Sequence, residues 1–187
     1  MGLLTQVLTA FGLSASAGLN AYIPLLIIAL LARFTGWVKL SPPFDVISNE
    51  WVIVALVVLL VIETFADKIP GIDHVNDFIQ TFIRPTAGAV LFASEAHILT
   101  DINPVIPLIA GLLIAFSVHA TKATARPVVN LSTLGVGAPV ISTVEDVTAV
   151  VTSLVAVFLP FGLILLALIF LFLVFKLAQR VARRRAA

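Results

Sequence analysis

The chain reads as an all-α, polytopic transmembrane helix bundle of five or six spans, with broken helices and one interfacial amphipathic helix. Three observations lead there. Of its 187 residues, 60% are hydrophobic and only 11% charged, against about 45–50% and about 25% in soluble domains. Mean hydropathy is +1.16. The apolar residues recur in segments, and Gly, Pro and Asn interrupt them in the manner of helices broken beside a cavity. A span needs about 20 residues, so residues 1–187 form a single integral membrane domain with no room for a soluble one.

Taken in order, the apolar segments are Leu3–Leu31, Trp51–Ala66, Ala87–Leu99, Val105–Val118, Val147–Phe158 and Leu159–Lys176. The first carries Gly12, Gly18, Asn20 and Pro24, which predict an unwound or kinked stretch over Ser14–Pro24 facing the interior. A second break is expected at Ser132–Pro139, with Asn130 just before it. Ser142-Thr-Val-Glu145 then has the spacing of a capping box, so Ser142 is expected to cap the next helix while Glu145 and Asp146 face its positive end. Pairing with a basic group is the other role open to them.

Between the second and third segments, Ile72, Val75, Ile79, Phe82 and Ile83 share one helical face, and Asp73, Asp77, Gln80 and Arg84 the other. Pro70-Gly71 supplies the turn before them. This pattern predicts an amphipathic helix over 72–84 lying along the headgroups.

Basic residues set the expected topology. Arg180, Arg183, Arg184 and Arg185 make residues 177–187 a basic cytoplasmic tail that meets anionic lipid headgroups. With six spans, this tail, Lys68 with Arg84, and Lys122 with Arg126 share one side, leaving Arg33 and Lys39 opposite. That arrangement expects a protein of the cell (inner) membrane with both termini cytoplasmic. Five spans follow if Val147–Lys176 is one tilted helix. Ala17-Gly18 and Ala87-Gly88, each ahead of a span ending near a lysine, form a weak echo of the kind an inverted repeat would leave.

Charge in or beside an apolar span is where chemistry is expected, because each such charge costs about 2.5–3.5 kcal/mol at mid-bilayer unless it finds a partner or cavity. Glu63 closes an unbroken apolar run, Asp67 lies one turn on, and Asp73, His74 and Asp77 follow. These five are the candidates for binding a cation or proton. His119, Lys122 and Arg126, at spacings of three and four, form a basic stripe that with Arg84 could hold an anionic solute or lipid phosphate. Asn20, Pro24, Asn130 and Ser132 would line a pathway at the broken helices. Two readings stay open: the charges pair and lock helix ends, or they line a route for an ion or solute.

The net charge of +1 carries no sign of nucleic-acid binding, and the lack of cysteine removes disulfides and thiol chemistry. No Gly-x-Ser-x-Gly, His-Glu-x-x-His or phosphate-loop motif occurs. No enzyme activity and no organic cofactor are therefore expected. A bound cation, membrane lipids and a second copy of the chain are the partners in view.

Three stretches carry a resemblance across most of the chain. They are Gly18-Leu-Asn20-Ala-Tyr22-Ile-Pro24, Glu63-x-x-x-Asp67-Lys68-Ile-Pro70-Gly71-x-Asp73-His74-x-x-Asp77, and Arg84-Pro85-x-x-Gly88-Ala89. Together with His119-x-x-Lys122, Asn130-x-Ser132 and Ser142-x-x-Glu145-Asp146, they resemble the integral-membrane family known as domain of unknown function 4126. The resemblance implies a membrane protein whose polar motif residues are those named above, and it implies no substrate. A small transporter or translocator is the leading expectation, an oligomeric ion channel the second, and a scaffolding membrane protein the third.

Overall fold

The computed structural model describes residues 2–67, 69, 72–95, 103, 105–133 and 137–186. Seven α-helices account for most of them: α1 (Leu3–Leu19), α2 (Tyr22–Phe34), α3 (Glu50–Ala66), α4 (Ile72–Glu95), α5 (Val105–Thr133), α6 (Ala138–Phe158) and α7 (Gly162–Ala186). A short 3-10 turn, Phe44–Ser48, leads into α3. Two helices contain stretches long and apolar enough to cross a bilayer, Val105–Pro127 and Ala138–Phe158, and shorter apolar helices accompany them.

The interrupted first segment is two helices, and the chain reverses between them. Asn20 is extended, which ends α1. Its Oδ1 accepts hydrogen bonds from the amides of Tyr22 (3.0 Å) and Ile23 (3.1 Å), so the side chain starts α2 as it stops α1. Pro24 sits in the first turn of α2, where a missing N–H leaves no bond unmade. Trp37, just beyond α2, packs edge-on against Phe158 at the end of α6. It lines a cleft with Gln6 and Thr9 of α1, so α2 runs back along the bundle.

This reversal divides the first expected segment. Counting α1 and α2 separately, the described chain has seven helices, of which Val105–Pro127 and Ala138–Phe158 lie in the two long enough to cross a bilayer and Leu3–Leu19, Tyr22–Phe34 and Gly162–Phe172 are shorter apolar helices. The two last apolar segments do not merge into one tilted helix either: α6 stops at Phe158 and α7 begins at Gly162 as its own helix. Leu163 of α7 meets Gly12, while Phe170 shares a cleft with Val147, so α7 is antiparallel to α6. The N-terminus therefore lies at one end of the bundle and the C-terminal helix finishes at the other. Hydropathy alone cannot register a reversal inside one apolar run.

Helix α4 is also continuous where two elements were expected, running through Pro85 from Ile72 to Glu95. Its first half is amphipathic as predicted, but the polar face turns inward. Gln80 and Arg84 are buried, while Val75, Phe78, Ile79 and Phe82 point outward. A helix floating on headgroups would show water its polar side; this one shows it to the other helices. Ser142 is not a cap, because α6 starts at Ala138 with Pro139 in its first turn, and Ser142 lies buried one turn further on.

Helix α1 is central, packed along α4, α5 and α6, while α2 packs between α3 and α6. Close approach is achieved with small residues. Gly88 of α4 and Gly111 of α5 face each other, and a Cβ on either would meet the other helix's backbone. Along the α1–α6 seam, Thr9 donates to the Ala156 carbonyl (2.8 Å), and Ser16 to that of Ala149 (2.8 Å) beside Ser153. Large apolar side chains such as Trp51, Phe65, Leu165 and Phe170 point outward. Small and polar groups inside with large apolar groups outside is the packing expected of helices in lipid.

Candidate functional site

At the end of the bundle where α1, α3 and α5 finish and α4 and α6 begin, charged side chains from four helices and the residue after α3 converge out of contact with solvent. Arg84 of α4 is wholly buried, Glu63 of α3 is 1% exposed, and Asp67, just past α3, is 2% exposed. Lys122 and Arg126 of α5 are 6% and 7% exposed. Asp77 of α4 and Glu145 of α6 complete the cluster with side chains 16% and 12% exposed.

Arg126 is the hub. Its Nη2 donates to Asp67 Oδ2 (2.8 Å) and Glu145 Oε2 (2.7 Å), and its Nη1 to Asp77 Oδ2 (3.0 Å). The planar fork of five donors suits it to gathering carboxylates from three elements, which an ammonium would do less well. Lys122 Nζ lies 2.9 Å from Glu145 and 3.6 Å from Asp67. It also donates to the Leu19 carbonyl (3.0 Å), one of the acceptors left open where α1 ends. The broken helix and the ion cluster are thus one feature. Asn20 Nδ2 adds a bond to Asp146 Oδ1 (3.0 Å) beside it.

Arg84 carries the inner half of the cluster. Nη2 donates to Glu63 Oε1 (2.8 Å), and Nη1 lies 3.0 Å from His119 Nδ1. A guanidinium has no acceptor, so Nδ1 must accept and the imidazole proton must sit on Nε2. That nitrogen is 3.0 Å from Thr81 Oγ1, whose own proton goes to the Asp77 carbonyl (2.8 Å). His119 is therefore read as a neutral imidazole that fixes Arg84.

Burial alone would raise the Asp67 carboxyl, but the Lys122 charge and the Arg126 hydrogen bonds and charge outweigh it and, with a bond from Asn76, hold it down at about 2. Asp67 is accordingly an anion at neutral pH.

The expected acidic group and basic stripe do meet: Glu63, Asp67, Asp77, Arg84, His119, Lys122 and Arg126 form one network. Glu145 joins it through pairing with Lys122 and Arg126, not through the positive end of its helix. Pro24 is buried in α2 and makes no part of the cluster. The side chains of Asp73, His74, Asn130 and Ser132 and all of Lys68, Pro70 and Gly71 lie outside the described residues. Among the described residues no group of three His, Asp or Glu side chains is placed to hold a metal ion. The carboxylates here face the chain's own cations.

The sequence reading left Asn76, Gln80, Thr81 and Tyr22 out of its candidate site, yet Asn76 and Thr81 bond its Asp67 and His119, and Gln80 and Tyr22 lie beside the charges. Gln80 and Thr81 carried a signal, since they share the inward face of α4 with Arg84.

The model of a family described as a domain of unknown function (DUF4126) matches residues 7–180. The chain belongs to this family. No curated protein and no solved structure matches it. The match takes in α2 to α6 whole and most of α1 and α7, so the ion cluster lies wholly within the family's domain.

Proposed function

We propose that this DUF4126 protein is an integral membrane translocator that moves a small ion or solute by exchanging partners within the buried ion cluster. The observation that carries this reading is the burial of Glu63, Asp67, Arg84, Lys122 and Arg126 together at one end of an otherwise apolar bundle. Packed apolar side chains of similar volume would hold helices at least as well as buried charges do. Ionisable groups inside membrane bundles usually mark a path for an ion or substrate. In this reading Lys122 and Arg126 leave their carboxylates to hold an anion, and a proton or cation offsets the carboxylate charge released.

Orientation follows from the basic residues. Arg84, Lys122, Arg126 and the end of α7 lie at one end, and Arg33 and Lys39 toward the other. The positive-inside rule then puts the cluster and the C-terminal arginines at the cytoplasmic face and the N-terminus on the far side. The chain has no cysteine, so single cysteines at Gly2 and Ala186 can be labelled cleanly. They should react with an impermeant maleimide from opposite faces of sealed vesicles; labelling from one face would remove this topology.

A second reading has its own support. Each cation of the cluster faces a carboxylate within 4 Å, as a purely structural lock requires. A thermal-shift screen of detergent-purified protein against sodium, magnesium, chloride, phosphate and phosphatidylglycerol separates the two. A ligand of the folded state raises Tm with concentration. A shift that Lys122→Ala abolishes supports the translocator; no shift with any of them, and a lowered Tm in Lys122→Ala, supports the lock.

A further inference from the structure

The inner half of the cluster holds polar atoms that the ion pairs leave over. Glu63 Oε1 is held by Arg84, but Oε2 is buried with no hydrogen-bond partner. Gln80 Oε1 is likewise buried without one. Both residues are almost wholly enclosed, at 1% and 2% exposed. Gln80 lies one turn before Arg84 on the same face of α4, the face that meets Glu63 through Arg84. Tyr22 of α2 lies within electrostatic reach of Gln80, Glu63 and Arg84, so these four side chains sit in one region of the interior.

Around the cluster the unpartnered buried atoms among the described residues are three acceptors, Glu63 Oε2, Gln80 Oε1 and Asp77 Oδ1, and one donor, Arg84 Nε, so desolvated lone pairs are in excess. A proton on Glu63 Oε2 turns an acceptor into a donor and reduces that excess. Charge balance favours the same assignment. Among the described residues the cluster's ion pairs join four carboxylates, Glu63, Asp67, Asp77 and Glu145, to three cations, Arg84, Lys122 and Arg126. With Glu63 neutral, three anions face three cations. Asp67 is not the carboxylate to protonate, because Lys122, Arg126 and Asn76 all favour its charged form. Asp77 and Glu145 both accept from Arg126 and are less buried. Among the described residues Glu63 has Arg84 as its one ion-pair partner, with Lys122 and Asp67 further off.

We propose that Glu63 is the proton-binding site of this protein: Oε2 takes a proton from the aqueous phase, keeps it, and through that O–H donates a hydrogen bond to Oε1 of Gln80, while Oε1 of Glu63 stays on Arg84. The site is a carboxylic acid at rest. Losing its proton leaves an uncompensated anion beside Arg84, which weakens the hold of that guanidinium on His119 and the neighbouring carboxylates. Its use in translocation rests on the reading in the preceding section and names the coupling ion as a proton; the presence of the acid does not depend on that reading.

Infrared spectroscopy of the reconstituted protein at neutral pH tests the site directly. A protonated carboxyl gives a C=O stretch separate from the carboxylate bands and shifted by deuterium exchange. The expected result is such a band in the wild type, its loss in Glu63→Gln, and its upward shift in Gln80→Leu as the hydrogen bond is removed. Absence of the band, or its persistence in Glu63→Gln, overturns the proposal. A Gln80 amide turned by half a rotation, donating to an ionised Glu63, predicts that absence.

Stability gives a second readout. Glu63→Gln reproduces the neutral acid, since its amide can donate to Gln80 while its oxygen stays on Arg84. It should melt within a few degrees of the wild type, whereas a resting carboxylate predicts a loss as large as that of Glu63→Ala. A Glu63-dependent acid band without any ligand-induced rise in Tm keeps the proton site and removes the translocator. The reverse pair of results keeps the translocator and assigns it another ion.

Discussion

The two ends of the bundle carry the same kinds of charge in very different surroundings. Toward the N-terminal end, Arg33 and Glu50 meet at 3.4 Å with side chains 42% and 67% exposed. At the other end Arg126 meets three carboxylates at 2.7–3.0 Å with almost no exposure. The first pair gains little, because screening and side-chain entropy consume most of the attraction. In the second, each group has given up its hydration, so each depends on the others. Burial and connectivity distinguish the ends more than the few tenths of an ångström between these distances.

Breaking the hub should have the largest effect. Arg126→Met strands Asp67, Asp77 and Glu145 against one another, and the expected loss is about 3–5 kcal/mol of stability, measured by unfolding in mixed micelles. A loss below that of an ordinary surface change would show that the cluster is not a coupled unit. Next comes acidification. The depressed Asp67 group contributes stability that is fully present above the ordinary aspartate value and is lost as pH falls toward about 2. Tm should therefore decline through that acid window, and Asp67→Asn should flatten the decline. The smallest effect belongs to the exposed pair: Arg33→Gln should change stability by about 0–1 kcal/mol and less in high salt. If Arg33→Gln rivalled Arg126→Met, the contrast between the ends would fail.

Much of this was legible in the sequence, for a physical reason. Glu63, Arg84, His119, Lys122 and Arg126 stand out because charge in or beside an apolar run demands a partner. Their helical spacing places them on common faces. The all-helical class was equally plain from the apolar segments. The reversal at Asn20 was hidden, because Leu3–Leu31 is apolar on both sides of it and hydropathy has no direction. Tyr22, Asn76 and Gln80 were missed because an uncharged polar side chain looks the same whether it faces lipid headgroups or a buried carboxylate. Ser142 misled, since its spacing to Glu145 fits a capping box, yet Pro139 starts the helix earlier and carries both residues inside it.

The most direct test of the account replaces a buried ion pair without leaving a charge behind. In Lys122→Met combined with Glu145→Met, both members of the 2.9 Å pair are gone, and such exchanges are often neutral or stabilising. The measurement is flux of protons, sodium, chloride and phosphate into proteoliposomes holding either the wild type or this double variant, with Tm recorded for each. The expected result is a flux carried by the wild type and lost in a variant that melts at or above the wild-type temperature. No flux through the wild type, or one that survives the double replacement, would contradict it.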